Sequence, residues 1–208
     1  MEEPTPLPPL NAEQQEAADG FFEFLLNDQK TLIISGPGGV GKTFLLCHLI
    51  DTVIPAYQDT CAILNIPVKY DNVVMCATTN KAAEVLSIAT KRPCETIHKW
   101  LNLVVKDDYA TGETKIGRSR SWIMKYNTIV FVDEASMIDT PLYKEILEGT
   151  HNCKIIFVGD HCQLAPVKES KSPVFKKATE FCELTKPMRN SGQPALMHLC
   201  NQLRHTVE

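Results

Sequence analysis

The chain has 208 residues, 44% of them hydrophobic and 22% charged, a composition that suits one globular domain with a sizeable core and leaves two full domains cramped. Its net charge of -4 excludes the global basic excess of many nucleic-acid binders, so any such surface must be local. Met1 to Leu10 is acidic and proline-rich instead of basic and then apolar, and no apolar run approaches the roughly 18 residues of a membrane span, so a cytoplasmic protein is expected, in the host-cell cytoplasm if the source is viral.

Short apolar runs alternate with longer helix-like stretches, which predicts an α/β domain with a mainly parallel sheet. Residues 1–9 read as a flexible segment and residues 10–208 as one domain. A helix is expected at Ala12 to Leu26, a strand at Thr31 to Ser35, a helix at Lys42 to Ile54, a strand at Val73 to Thr78 and a helix at Asn80 to Thr90. Leu101 to Trp122 breaks the alternation: apolar residues flank a polar, turn-like Ala110 to Glu113, so the segment reads as an inserted β-hairpin, with a solvated loop as the alternative. A strand at Thr128 to Asp133 precedes a helix at Pro141 to Gly149, with Thr140 as N-cap and Pro141 at the first helical position. Lys154 to Gly159 is a further strand, and Phe181 to Thr185 a weaker fifth.

The eight cysteines contain no C-x-x-C pair and several lie inside apolar runs, which points to reduced thiols. His151 with Cys153 and His161 with Cys162 invite a metal. The strand between them separates the pairs by roughly 20 Å, too far for one ion to bridge.

GPGGVGKT, Gly36 to Thr43, follows an apolar strand and opens a helix, the context that a G-x-x-x-x-G-K-[ST] phosphate loop requires. In the loop of Gly36, Pro37, Gly38, Gly39, Val40 and Gly41 the glycines let backbone N–H groups turn inward on the phosphates, Lys42 supplies a full charge, and Thr43 a hydroxyl to Mg2+. A loop of this kind needs a carboxylate at the end of a neighbouring strand. TIVFVDEAS supplies Asp133 for the metal and Glu134 for the attacking water. IIFVGDHCQLAPV ends another strand, and Gln163 just beyond it can contact the γ-phosphate of ATP. No guanine-reading N-K-x-D pattern is present, which favours adenine.

In order, these segments resemble the first RecA-like domain of a superfamily 1 helicase of the Dda and RecD branch. The likeness runs from about Leu10 to Asn190. LNAEQQEAA resembles the adenine-contacting Q motif, which makes Gln14 the amide reader. GPGGVGKT resembles motif I, ATTNKAAEVL motif Ia, TIHKWL the next DNA-contacting motif, VDEASM motif II and GDHCQLAPV motif III. LTKPMRN resembles the motif whose arginine reaches the γ-phosphate, here Arg189, and the hairpin falls where the family carries a strand-separating insert. Thr78 and Ala165 stand where the family commonly has proline.

The resemblance implies a P-loop NTPase fold, ATP and Mg2+, and a 5′ to 3′ single-strand translocase or helicase. It assigns nucleic-acid contacts, DNA favoured, to Thr79, Asn80 and Lys81 and to Thr96, His98 and Lys99. Lys91, Arg92, Arg118, Arg120 and Lys125 add charge near the insert, and Trp122 offers a stacking face or belongs to the core. Family members continue into a second RecA-like domain, so a missing half in cis or in trans is expected. The alternatives are a truncated nucleotide- and strand-binding module, or a P-loop ATPase unrelated to nucleic acid.

Overall fold

The computed structural model describes residues 9–108, 113–167, 169–177 and 181–188. Its strands are β1 (Thr31–Ser35), β2 (Asn72–Ala77), β3 (Cys94–Thr96), β4 (Leu103–Asp108), β5 (Glu113–Arg118), β6 (Lys125–Tyr126), β7 (Thr128–Asp133), β8 (Thr150–His151), β9 (Lys154–Gly159) and β10 (Phe181–Glu183). The helices are α1 (Ala12–Leu26), α2 (Lys42–His48), α3 (Ile54–Ile63), α4 (Asn80–Thr90), α5 (Ile97–Trp100), α6 (Thr140–Glu148) and α7 (Val174–Lys177). No helix among the described residues is long and apolar enough to cross a membrane.

Six strands form one parallel sheet in the order β10-β1-β9-β7-β2-β3, so all their C-terminal ends share one edge. Alternate residues of the central strands feed two cores. Leu32, Ile34, Ile129, Phe131, Ile156 and Val158 face α1, α2 and α3, while Ile33, Val130, Val132, Ile155 and Phe157 face α5, α6 and the hairpin base. Burial on both faces is the reason these strands read as unbroken apolar runs. Phe21 of α1 meets Phe131 of β7 at 5.9 Å between ring centroids, both rings fully buried. Truncating either to alanine removes about 3–5 kcal/mol.

The expected parallel sheet, flanking helices and inserted hairpin are all present. β4 and β5 pair antiparallel, Leu103 opposite Arg118, while the turn at 109–112 lies outside the described residues. Four details differ from the sequence expectation. The helix starting at Lys42 does not stop at Ile54: a π-helical turn at Leu49–Val53 leads into α3, whose first turn takes Pro55, a residue with no N–H to donate. The N-cap of α6 is Asp139, not Thr140, because its carboxylate accepts from Leu142 N at 2.9 Å while Thr140 N turns to Glu169 Oε1 at 2.7 Å. The strand carrying Asp133 is not beside the phosphate-loop strand, since β9 pairs with both and sits between them. Finally, β3 forms an edge strand that three residues, Cys94 to Thr96, were too few to announce.

Candidate nucleotide site and nucleic-acid face

The loop after β1 is built by close backbone approach. Gly36 N donates to Gly159 O at 3.0 Å, and Leu184 N to Ser35 O at 2.8 Å. A Cβ on Gly36 would stand 2.4 Å from Leu184 O, so only glycine fits. Gly39 and Gly41 take φ of 86° and 85°, the left-handed turn that swings N–H groups inward before α2 begins. Lys42 Nζ reaches back over the loop to the carbonyls of Gly36 and Pro37, at 2.7 and 3.0 Å. Gly39, Gly41, Lys42, Thr43, Phe44 and Met188 line a cavity of about 250 Å³.

Gln14 supports this loop from beneath. It is fully buried, closes a capping box with Asn11, and its Nε2 donates to Val40 O at 3.4 Å. Met188 N donates to Gly39 O at 2.8 Å, which fastens the segment just before Arg189 to the loop. Arg189 itself lies outside the described residues.

Asp133 ends β7, and its Oδ1 accepts from Glu134 N at 2.9 Å. Glu134 holds φ of 57°, a strained setting for a non-glycine residue. The turn behind it is clamped by Ser172 Oγ, which donates to Ala135 O at 3.1 Å and Ile138 O at 2.7 Å. Burial raises both carboxyls above their ordinary pKa. For Asp133 the bond from Glu134 N and the Lys42 charge pull the other way, and for Glu134 the Asp133 charge adds to the rise and Lys42 opposes it.

After β9, Cys162 N donates to Asp160 Oδ1 at 3.0 Å and Gln163 N to Asp160 O at 3.1 Å. Gln163 is exposed and lines a second cavity, of about 300 Å³, with Ser136, His161 and Cys162. His161 Nδ1 stands 2.8 Å from the buried Ser35 Oγ, a link between the loops after β1 and β9. Nothing in the sequence signals it, since Ser35 merely ends an apolar run.

The residues expected on nucleic acid converge on the same edge. β2 and β3 pair with Ala77 opposite Thr96, so the segments after them are neighbours. Thr79 caps α4 by accepting from Ala82 N at 3.1 Å, and Thr96 caps α5 by accepting from Lys99 N at 3.2 Å. Asn80, Thr96 and Lys99 line one groove of about 320 Å³. Among the described residues Lys81 and Lys99 hold local ion pairs, with Glu84 at 3.0 Å and Glu95 at 3.5 Å, and stay 80% and 76% exposed. Such pairs hold their ammonium groups loosely. Burial lowers the His98 pKa, with Asp139 opposing.

Three of the basic residues near the insert have structural partners. Arg118 bonds Glu145 at 2.7 Å and Glu148 at 2.8 Å and stacks 4.3 Å over Trp122, which is half-buried against the second core. Arg92 pairs with Asp51, and Lys125 lies 5.8 Å over Trp100. The face of Trp122 is thus shared between core and guanidinium.

This geometry joins a phosphate loop, an acidic pair and a polar edge on one sheet, and a family model matches residues 9–207. The chain belongs to the AAA domain family. This AAA domain is 26% identical over 196 residues to the ATP-dependent DNA helicase dda of Enterobacteria phage T4, covering 88% of this chain and 40% of dda. It is 29% identical over 158 residues to the RecBCD enzyme subunit RecD of Buchnera aphidicola, covering 67% of this chain and 23% of RecD. The Candida albicans Pif1 helicase crystal structure shares its fold, with a TM-score of 0.62 at 19% identity, over 95% of this chain and 44% of that one. The resemblance to superfamily 1 helicases of the Dda and RecD branch is borne out. The chain spans less than half the length of each of these relatives.

Proposed function

We propose that this AAA domain is the ATP-hydrolysing half of a DNA helicase that moves 5′ to 3′ on single-stranded DNA. One observation carries the reading: the phosphate loop, Asp133 and Glu134, and the capped segments Thr79 to Lys81 and Thr96 to Lys99 all leave the same C-terminal edge of one sheet. Events at the phosphates and contacts to a strand then share rigid elements.

In this reading the loop N–H groups from Gly38 to Gly41 cradle the phosphates of ATP, and Lys42 exchanges its carbonyl partners for the β- and γ-phosphates. Gln14 holds the loop through Val40, and reading adenine from that buried place requires its amide to turn away from Val40. The Thr43 hydroxyl and the Asp133 carboxylate are hard oxygen donors that fit Mg2+, which when bound neutralises phosphate charge. Glu134, its pKa raised by burial and by Asp133, orients the water and takes its proton. Gln163 and Arg189 meet the γ-phosphate as the cleft closes. On the strand side, Thr79, Asn80, Lys81, Thr96, His98 and Lys99 offer hydroxyl, amide, imidazole and ammonium groups to backbone phosphates without reading sequence.

A second RecA-like domain, in the same polypeptide or in another chain, supplies the opposing wall. An arginine from such a wall gains typically 10³ to 10⁵ in rate in P-loop enzymes, and stepping needs two grips that alternate. Strand displacement on a duplex with a 5′ single-stranded tail tests this, with the 208-residue chain alone and with a chain extended by a second domain. Displacement only by the extended form is expected. Robust displacement by the short chain would show that copies of it build the second wall.

A further inference from the structure

The first turn of α1 holds a distant segment as well as itself. Glu13 Oε2 accepts from Thr185 N at 2.8 Å and from Lys186 N at 2.9 Å, and its Oε1 accepts from Thr185 Oγ1 at 2.6 Å. One carboxylate on α1 thus takes three bonds from residues 172 and 173 positions further along the chain. Burial pushes the Glu13 carboxyl up, but these bonds and the Lys186 charge outweigh it and hold the pKa below the ordinary 4.5. The acceptor is therefore an anion at neutral pH, and bonds to a charged acceptor are the stronger kind.

The same segment meets the phosphate loop. Leu184 N donates to Ser35 O at 2.8 Å and Met188 N to Gly39 O at 2.8 Å, so the Glu13 bonds stand between two fixed ends. The Met188 side chain is placed as well: Asn11 Nδ2 donates to its Sδ at 3.7 Å, and a Cβ built on Gly41 would lie 3.2 Å from its Cγ. Asn11, Glu13 and Gln14, within one turn of chain, hold Met188, residues 185 and 186, and Val40 respectively.

The cavity bounded in this way has two kinds of lining. Gly39, Gly41, Lys42 and Thr43 present groups suited to phosphates and Mg2+, whereas Phe44 and Met188 are apolar. A thioether and a phenyl ring offer nothing to a phosphate, but a planar base packs well against both. Met188 is 45% exposed, which leaves that wall accessible to a ligand.

We infer that Glu13 is a positioning residue for the nucleotide: by fixing Thr185 and Lys186 it holds Met188 as the wall against which the base of ATP packs. The inference rests on the proposed ATPase reading. Glu13 acts through residues 185 to 188 and not by contact with the ligand. Coupling of this kind is reciprocal, so a seated base tightens the Thr185 and Lys186 bonds in return.

Two measurements on the full chain test it. Hydrogen exchange at the Thr185 and Lys186 amides of the ligand-free chain should quicken at least about tenfold in Glu13→Ala, with the amides of β7 and β9 unchanged as the check on folding. With Mg2+ present, affinity for a labelled ATP analogue should fall about fivefold or more, while affinity for inorganic tripolyphosphate stays within about twofold. A general loss of structure would lower both together. Glu13→Gln keeps a carbonyl oxygen for the two backbone N–H groups and should restore most of the affinity. Met188→Ala should lower it as Glu13→Ala does, and the double variant should be no worse than the weaker single one. Thr185→Val removes one donor without touching α1 and should show a smaller loss of the same ligand selectivity, which decides the matter if Glu13→Ala fails to fold. Unchanged exchange, an equal loss for the two ligands, or additive effects of Glu13→Ala and Met188→Ala overturns the inference alone. A parent chain that binds neither ligand overturns the ATPase reading and the inference with it.

Discussion

A Cβ built on Gly41 stands 2.6 Å from Nε2 of Gln14. The last glycine of the phosphate loop is therefore seated on the buried glutamine of α1, which also bonds Val40 O at 3.4 Å. Gly41→Ala combines this clash with a φ of 85°, a backbone region that costs an alanine about 1–2 kcal/mol. We expect affinity for a labelled ATP analogue to fall by about tenfold or more, since the loop must move to admit the methyl group. Unchanged affinity would show that the loop is not held by Gln14.

Lys42→Ala should abolish measurable nucleotide binding and leave the fold intact. The ammonium bonds the loop carbonyls of Gly36 and Pro37 at 2.7 and 3.0 Å, and alanine is a good residue at a helix start. Circular dichroism together with analogue titration checks both halves. Retained affinity contradicts the assignment.

Asp133 and Glu134 should separate binding from chemistry. Glu134→Gln keeps the shape and loses the base, so magnesium-dependent ATP binding should persist while hydrolysis, read in a chain extended by a second domain, drops. Asp133→Asn should weaken magnesium-dependent binding as well. Identical binding defects in the two variants would overturn the division of roles.

The same pair carries a pH signature in the ligand-free chain. Both folded pKa values lie above the ordinary 3.8 and 4.5, burial being the largest cause for each. The folded state therefore binds these protons more tightly than the unfolded state. Their stabilising contribution is fully present below the ordinary values and is lost as pH rises through the raised ones. Thermal unfolding of the Asp133→Asn, Glu134→Gln double variant should show a stability gain over the parent at neutral pH that shrinks as pH falls towards 4.5. A difference constant with pH would refute this.

Arg118 should hold the hairpin to α6. It joins Glu145, Glu148 and the Trp122 ring, so Arg118→Ala removes three contacts to one side chain. Hydrogen exchange of the β4 and β5 amides should quicken, and raised salt should do the same to the parent chain, while nucleotide affinity stays constant. Unaltered exchange would mean that Leu103 and Ile116, packed on the second core, suffice.

Local physics was legible in the sequence. Strands β1, β7 and β9 and helices α1 and α4 fall at the residues expected, because continuous apolar runs and helical spacing reflect burial that each segment undergoes regardless of its neighbours. The glycines of the phosphate loop, Lys42, Thr43 and the Asp133–Glu134 pair were legible for the same reason: their chemistry is carried within short contiguous runs. Relations between distant segments were not. That β9 lies between β1 and β7, that Gln14 supports Gly41 from 27 positions away, and that Ser35 meets His161 across 126 are properties of the packed sheet. No periodicity encodes them. Sheet order is decided by which two-sided apolar strand can be covered by which helices, and only the folded chain balances that choice. The sequence alone therefore determined the phosphate chemistry and the strands that bear it, whereas the tertiary structure decided which polar side chains meet at their ends.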